Sequence, residues 1–157
     1  MSLLKTIVTL FIICYAQTSK TEFVRPDIVN QFMSDEYDGY QIINGKILML
    51  NSIICHSSVG KIPGKIVNRR EPYFSFNGRE YVCHNFQYLT GKRIPNTGEV
   101  PAECLNKGYP TDDGRMLYPI IAYNRHGEIP GKAYDPKQSY YGYDKGQYRR
   151  PYFDWFC

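Results

Sequence analysis

The sequence is 157 residues long and carries 19 Lys and Arg against 15 Asp and Glu, for a formal net charge of +4. The basic residues are scattered among the acids and form no run longer than two residues. Nucleic-acid binding normally needs a clustered stripe of Lys and Arg. Composition and charge therefore exclude nucleic acid as an expected partner.

The first sixteen residues have the pattern of a secretory signal peptide. Lys5 precedes the apolar residues 6–13, and Cys14-Tyr15-Ala16 provides a cleavage site. This apolar stretch is too short to span a bilayer, which takes about 20 apolar residues. We predict that residues 1–16 are removed and that the mature protein is secreted and extracellular, with no membrane span. Residues 17–35 lack a turn rhythm and are predicted to be an N-terminal lead segment.

An even number of cysteines remains after the signal peptide, namely Cys55, Cys83, Cys104 and Cys157. In an exported chain this indicates two disulfides, and the spacing leaves all three connectivities open. Zinc binding is the rival interpretation, because Cys55 and Cys83 are each followed by a histidine. Zinc ligands usually come as pairs two to four residues apart, which these are not. We therefore predict no metal and no other cofactor.

The mature chain contains two copies of one pattern. Gly60-Lys61-Ile62-Pro63-Gly64-Lys65 recurs as Gly127-Glu128-Ile129-Pro130-Gly131-Lys132. We call the sequence distance from Lys65 to Lys132 the repeat offset. It persists downstream, where Phe86 matches Phe153, and increases slightly upstream, where Gly45 matches Gly114. A repeat of this kind must be recognised before individual elements are assigned.

We define copy 1 as residues 36–90 and copy 2 as residues 91–157. Each copy has fewer than about seventy residues, too few to bury much core alone. We therefore expect the two copies to pack on each other.

Turn residues recur in the same order in each copy. Asn44-Gly45 and Asp113-Gly114 are strong hairpin signals. Pro63-Gly64 and Pro130-Gly131 suit type II turns, in which Pro presets the first central residue and Gly accepts a positive φ at the second. Each copy is predicted to be four strands joined by three turns. The third turn is Asn77-Gly78 in copy 1, with a weaker counterpart at residues 144–146 in copy 2.

Composition agrees with an all-β fold. The chain has 15 Tyr and 8 Phe, residues that favour pleated, half-buried surfaces. No window of eleven residues in the mature chain has a clean apolar period of 3.6. We predict an all-β protein.

Several segments resemble the DM9 repeat, also known as the DUF3421 domain, of invertebrate proteins. They are Glu99-Val100-Pro101-Ala102, Gly108-Tyr109, Asp113-Gly114-Arg115-Met116-Leu117-Tyr118, His126 with the Gly-x-x-Pro-Gly-Lys element, and residues 148–155. The resemblance extends over about residues 39–156. It implies two β-sandwich-like units that pack together and exchange strands. For some members it also implies lectin activity toward mannose-type sugars in innate recognition.

The resemblance further implies which residues bind sugar. Family members use the lysine of the Pro-Gly-Lys element and an aspartate shortly after the glycine that opens the repeat. Lys65 and Lys132 match the lysine. The spacing of the aspartate falls on Gln41 in copy 1 and on Pro110 in copy 2, so neither copy keeps it there.

Copy 2 offers Asp112 or Asp113 as a substitute for this aspartate, whereas copy 1 offers only Asn44. A lysine ammonium can only donate hydrogen bonds, so a neighbouring carboxylate is needed to accept from sugar hydroxyls. Aromatic rings can stack on the apolar face of a hexose. We therefore expect the stronger site at Lys132, and a weaker one at Lys65. The simpler interpretation stays open that these lysines only follow exposed turns.

The predicted function is that of a secreted recognition protein that binds mannose-type glycans. No enzymatic activity is expected, because the three histidines occupy unlike positions in the two copies and no serine lies in a nucleophile elbow. The alternative is a secreted protein-interaction or structural protein that uses its tyrosine-rich residues 134–156. Whether the chain forms a homodimer is left open.

Overall fold

The computed structural model describes residues 36–157, so the expected signal peptide and lead segment lie outside the described residues. Residues 36–157 form thirteen strands and one short 3₁₀ turn, Leu105–Lys107. The strands are β1 (Gly39–Ile43), β2 (Lys46–Ser57), β3 (Gly60–Val67), β4 (Glu71–Phe76), β5 (Arg79–Val82), β6 (Phe86–Tyr88), β7 (Arg93–Pro95), β8 (Tyr109–Pro110), β9 (Met116–Asn124), β10 (Gly127–Asp135), β11 (Gln138–Tyr143), β12 (Gly146–Arg149) and β13 (Phe153–Phe156). The all-β prediction is confirmed.

The strands close into a barrel with further strands on its outside. β1 to β5 pair in sequence order, β5 pairs with β12, and β12, β11 and β10 follow. The ring closes because β1 also pairs with β10, at Tyr40 opposite Glu128. β9, β13 and β7 extend the sheet beyond β10, and β6 and β8 pair on β2 and β9. Residues of both copies therefore build one barrel, where the resemblance implied two sandwich-like units.

The duplication is visible in the strand register. β2 pairs with β6 at Ile53 opposite Tyr88, and β9 pairs with β13 at Ile120 opposite Trp155. Each residue of the second pair lies at the repeat offset from its counterpart in the first. β3–β4 and β10–β11 obey the same rule, as do β4–β5 and β11–β12. The offset read from the sequence is thus a structural equivalence of the two copies.

Three of the short turns follow local sequence chemistry. Asn44-Gly45 and Asn77-Gly78 have positive φ at both residues, as the Asn-Gly dipeptide predicts for a two-residue hairpin. Asp144-Lys145 makes the same turn with φ values of 44° and 67°, and Gly146 begins the next strand. The loop at Asp113-Gly114 differs, because only Gly114 has a positive φ there. In it, the N–H of Gly114 donates to the carbonyl of Thr111.

The predicted turns at Pro63-Gly64 and Pro130-Gly131 are wrong. Both dipeptides lie inside strands β3 and β10, and neither glycine has a positive φ. Pro63 is tolerated because β4 pairs with β3 only from Lys65 onward. On that side of β3, no partner strand needs the backbone N–H that proline lacks. Glycine is required for a different reason: a Cβ on Gly64 would meet the carbonyl oxygen of Tyr73. These glycines permit close approach of a neighbouring strand rather than a reversal of the chain.

Two disulfides form, as predicted, and the structure supplies their connectivity. Cys55–Cys83 joins β2 to the residue after β5, and Cys104–Cys157 joins the segment between β7 and β8 to the residue after β13. Both cysteines that precede a histidine are therefore oxidised, and neither offers a thiolate to zinc.

The larger hydrophobic core gathers side chains from both copies. Trp155 lies fully buried at its centre, with Tyr118 and Phe153 packed edge-on against its ring. Leu50 and Val67 of copy 1 belong to the same cluster. A smaller cluster around Ile53 and the Cys55–Cys83 disulfide belongs to copy 1 alone. Copy 2 thus supplies most of the larger cluster, and two buried side chains of copy 1 complete it.

Candidate functional site

The two lysines of the Pro-Gly-Lys elements are buried inside the molecule. Lys65 and Lys132 are each 2 % exposed. Successive residues of a strand point to opposite faces. A lysine that follows Pro-Gly within a strand therefore faces either the interior or the solvent. Here both lysines face the interior. The interpretation that they follow exposed turns is therefore wrong, and a buried ammonium needs partners.

Lys65 has a complete set of partners. Its Nζ donates to Oε1 of Gln41 at 2.6 Å and to the carbonyl of Gly142 at 2.7 Å. It also forms an ion pair with Glu80 at 2.8 Å. Burial lowers the pKa of Lys65, and the Glu80 carboxylate acts in the opposite direction. The buried ammonium of Lys65 is thus compensated by the three acceptors around it.

Lys132 is much less well compensated. Its Nζ donates to the carbonyl of Ser75, and its ammonium lies 5.6 Å from the ring centroid of Phe76. Within residues 36–157, no carboxylate contacts it. Burial lowers the pKa of Lys132 to about 8.

Each of the two lysines donates a hydrogen bond to a carbonyl of the other copy. Lys65 of copy 1 donates to Gly142 of copy 2, and Lys132 of copy 2 donates to Ser75 of copy 1. Ser75 and Gly142 are themselves separated by the repeat offset. The two ammonium groups therefore act as reciprocal cross-links between the copies.

The difference between the two lysine environments comes from one further position. The counterpart of Glu80 at the repeat offset is Gln147. Its Oε1 accepts a hydrogen bond from the N–H of Gly78 and does not contact Lys132. Glu80 was missed in the sequence, although the replacement of a carboxylate by an amide between aligned copies would have marked it.

The other predicted site residues lie away from the lysines. Asn44 occupies the turn between β1 and β2. Asp113 lies in the loop between β8 and β9, where it forms an ion pair with Arg115 at 2.6 Å. Gln41, at the spacing of the family's aspartate, does contact the copy 1 lysine. The structure therefore pairs neither Lys132 with Asp113 nor Lys65 with Asn44.

Asp112 and Asp113 instead line a pocket of about 320 Å³, within the lower part of the size range of small-molecule sites. We call it the loop pocket. Its lining includes Val59, Lys61, Phe76, Asp112, Asp113 and Tyr134.

The loop pocket exists because the duplication is incomplete at this point. In copy 1, β1 pairs with β2 and also with β10. Its counterpart β8 has two residues and pairs only with β9, so it lies beside β3 without a ladder. The space between β3 and the loop after β8 is the pocket.

Side-chain size widens the same gap. The counterparts of Val59 and Phe76 in copy 2 are His126 and Tyr143. These two rings stack at a centroid distance of 4.3 Å, and the hydroxyl of Tyr143 donates to the carbonyl of Ile42. Val59 and Phe76 can form neither contact, so this region is filled in one copy and open in the other.

Charged and aromatic side chains both line the loop pocket. The guanidinium of Arg115 lies 4.1 Å from the ring centroid of Tyr134. Hydrogen bonds from Arg115 and Thr111 hold the pKa of Asp113 well below its ordinary value. Asp112 is exposed, and no partner contacts its carboxylate within the described part of the chain. Acceptors, donors and an aromatic face are thus available together.

Two other surface depressions are larger but chemically less suitable. One of about 490 Å³ is lined by Leu48, Val67, Asn68, Arg70 and Glu71 and has no aromatic ring. The other, of about 470 Å³, includes Asp38 and Tyr88. The carboxylate of Asp38 already accepts a hydrogen bond from the N–H of Ser52. The loop pocket is the candidate site because its free carboxylate and rings face one space.

Comparison with known proteins adds no relative: no protein-family model and no curated protein matches this chain. In residues 36–157, no helix has the length and apolar character needed to cross a membrane.

Proposed function

We propose that this protein is a secreted, carbohydrate-binding recognition protein that holds a mannose-type hexose in the loop pocket. The observation that carries the proposal is the convergence of free acceptors, donors and aromatic rings at a gap that the other copy fills. The resemblance to the DM9 family supports the ligand class. The signal-peptide pattern of residues 1–16 and two disulfides support an extracellular protein.

The chemistry of a hexose suits this pocket. Adjacent hydroxyls of the sugar need acceptors as well as donors, and Asp112 offers a carboxylate without a partner. Lys61 and Asn77 also line the pocket and supply donors. Phe76 offers a ring for the apolar face of the sugar. In this proposal Lys132 lies behind Phe76 and supports the ring without contacting the ligand.

The test is binding of mannose-type oligosaccharides on a glycan array and in solution. Wild type should bind, and Asp112→Asn should weaken affinity about tenfold or more, because hydrogen bonds to a charged acceptor are the stronger kind. Phe76→Leu, which keeps an apolar side chain but removes the ring, should weaken it too. Glu103→Gln is the matched control, since it removes an exposed carboxylate outside the pocket.

Two results would overturn the proposal. One is the absence of glycan binding by the wild type. The other is an equal loss of affinity in Glu103→Gln and Asp112→Asn. Binding that survives in Asp112→Asn but disappears in Lys132→Met would move the sugar from the pocket to the buried lysine.

A protein-interaction role is the alternative, and exposed tyrosines favour it. Tyr81 and Tyr148 are 41 % and 46 % exposed and occupy equivalent positions on the paired strands β5 and β12. Such side chains are enriched in protein interfaces. Capture of a protein partner that survives Asp112→Asn and is lost in Tyr81→Ser with Tyr148→Ser would favour this alternative.

A further inference from the structure

Copy 2 carries a basic surface that copy 1 lacks. We call it the arginine cluster: Arg125, His126, Arg150 and Tyr152. Arg125 and His126 form the turn between β9 and β10, and Arg150 and Tyr152 lie between β12 and β13. The N–H of Tyr123 donates to the carbonyl of Tyr152 at 3.0 Å, which holds the two loops together.

The two guanidinium groups of the cluster act on the same imidazole. Nε of Arg125 donates to Nε2 of His126 at 3.1 Å. Burial lowers the pKa of His126, and the positive charges of Arg125 and Arg150 lower it further. Neither arginine forms an ion pair with a carboxylate of residues 36–157. The carboxylates nearest in sequence are Glu128 and Asp154, and both have other partners: Glu128 forms an ion pair with Arg93, and Asp154 accepts a hydrogen bond from the hydroxyl of Tyr123.

The duplication provides an internal comparison. At the repeat offset, the counterparts of Arg125 and Arg150 in copy 1 are Ser58 and Cys83. The flanking hairpins have the same register in both copies. The hairpin between β2 and β3 therefore forms without an arginine at the position of Arg125, and the position of Arg150 is taken in copy 1 by a cysteine of the Cys55–Cys83 disulfide.

We propose that the arginine cluster binds an acidic polysaccharide, with sulfate or carboxylate groups of the chain paired to Arg125 and Arg150. A guanidinium recognises such groups through two parallel hydrogen bonds. Tyr152 is 72 % exposed and offers a ring on which a sugar can stack. This site is separate from the loop pocket and shares no residue with it.

Nucleic acid and anionic membrane fit these observations less well. Duplex binding uses a stripe of cations along the backbone, and membrane surfaces are recognised by clusters of about four to eight basic residues. The cluster has two unpaired cations beside one exposed ring. That arrangement matches an acidic sugar unit better than a continuous row of phosphates.

The experiment measures binding of a labelled heparin octasaccharide to the full chain at physiological ionic strength. Wild type should bind, and Arg125→Gln with Arg150→Gln should weaken affinity about tenfold or more, because charge-assisted hydrogen bonds are lost. Arg125→Ser, which installs the copy 1 residue in an exposed turn, should weaken it in the same direction. Arg70→Gln with Arg79→Gln is the control of equal charge change in copy 1 and should stay within about twofold.

Several outcomes overturn this proposal. They are absence of heparin binding by the wild type, an equal loss in the control pair, and tighter binding to duplex DNA or to phosphatidylserine vesicles than to heparin. Mannose binding measured on the same variants separates the two sites. It should be unchanged in Arg125→Gln with Arg150→Gln, and its presence or absence in the wild type decides the loop pocket independently.

Discussion

Lys132 places a positive charge in the interior, where one carbonyl oxygen among residues 36–157, that of Ser75, accepts from it. Lys65, at the equivalent position, has three partners, one of them the carboxylate of Glu80. Removing a charge from water costs free energy, and an incomplete set of partners offsets only part of that cost. The same motif residue therefore stabilises the structure to different extents in the two copies.

The poorly compensated charge of Lys132 predicts that the free energy of unfolding increases at alkaline pH. Burial lowers the pKa of Lys132 from 10.5 to about 8. Between those values the unfolded chain binds the proton and the folded chain does not, so the free energy of unfolding rises with pH in this window. From pH 7 to 9.5 we expect a gain of about 2 kcal/mol from this group, measured by urea unfolding.

Two variants isolate the contribution of Lys132. Lys132→Met should reduce the rise and should be more stable than wild type at pH 7, because an apolar side chain replaces a buried charge. Lys61→Met removes an exposed lysine and should retain the rise. A wild-type stability that is flat or falls over this range, or a rise undiminished in Lys132→Met, would contradict the assignment.

At the scale of elements, the Pro-Gly dipeptides show that one residue pair can meet two different backbone demands. In a turn, Gly supplies a positive φ. In β3 and β10 it supplies the absence of a side chain, since a Cβ on Gly64 or Gly131 would meet the carbonyl oxygen of Tyr73 or Tyr140. These glycines thus permit close approach of β4 to β3 and of β11 to β10, in each case within one copy.

Alanine substitutions can distinguish these two demands. Gly64→Ala should lower the free energy of unfolding by about 3 kcal/mol or more, because backbone must shift to admit the methyl group. Gly60→Ala should cost about 1–2 kcal/mol, because Gly60 has φ of 111° but no atom near its Cβ position. Urea unfolding of both variants gives the order. A smaller loss for Gly64→Ala than for Gly60→Ala would show that crowding does not explain the glycine.

At the scale of the whole molecule, the two copies form one folding unit. β1 pairs with β10 and β5 pairs with β12, so each copy supplies strands to the barrel wall. The larger core contains side chains of both copies, and each buried lysine has its carbonyl acceptor in the other copy. A separated copy would expose these edges and leave a buried ammonium without its acceptor.

Fragments of the chain test this interdependence. Residues 36–90 and residues 91–157, produced separately with their disulfides allowed to form, should each lack the cooperative thermal unfolding of residues 36–157. The reason is that a unit this small buries too little apolar area to offset its conformational entropy. Circular dichroism of the fragments measures the effect. Cooperative unfolding of either fragment alone would show that the copies are independent domains.

Local and repetitive features were accessible from the sequence. Asn44-Gly45 and Asn77-Gly78 turn as predicted, because the geometry of a two-residue hairpin is set by the residues in it. The copies align at one offset because equivalent Gly and Pro residues meet equivalent backbone demands. The all-β fold and the presence of two disulfides also followed from composition and from the number of cysteines.

The burial and the partners of Lys65 and Lys132 were decided only by the tertiary structure. Their acceptors are the backbone carbonyls of Gly142 and Ser75, which are 77 and 57 residues away. Every residue has a backbone carbonyl, so the residue type does not show which one accepts. The disulfide connectivity and the loop pocket likewise depend on which strands meet around the barrel. Residue types determined where the chain turns and that it repeats. Long-range pairing determined which side chains became buried, because burial is a property of contacts between distant segments.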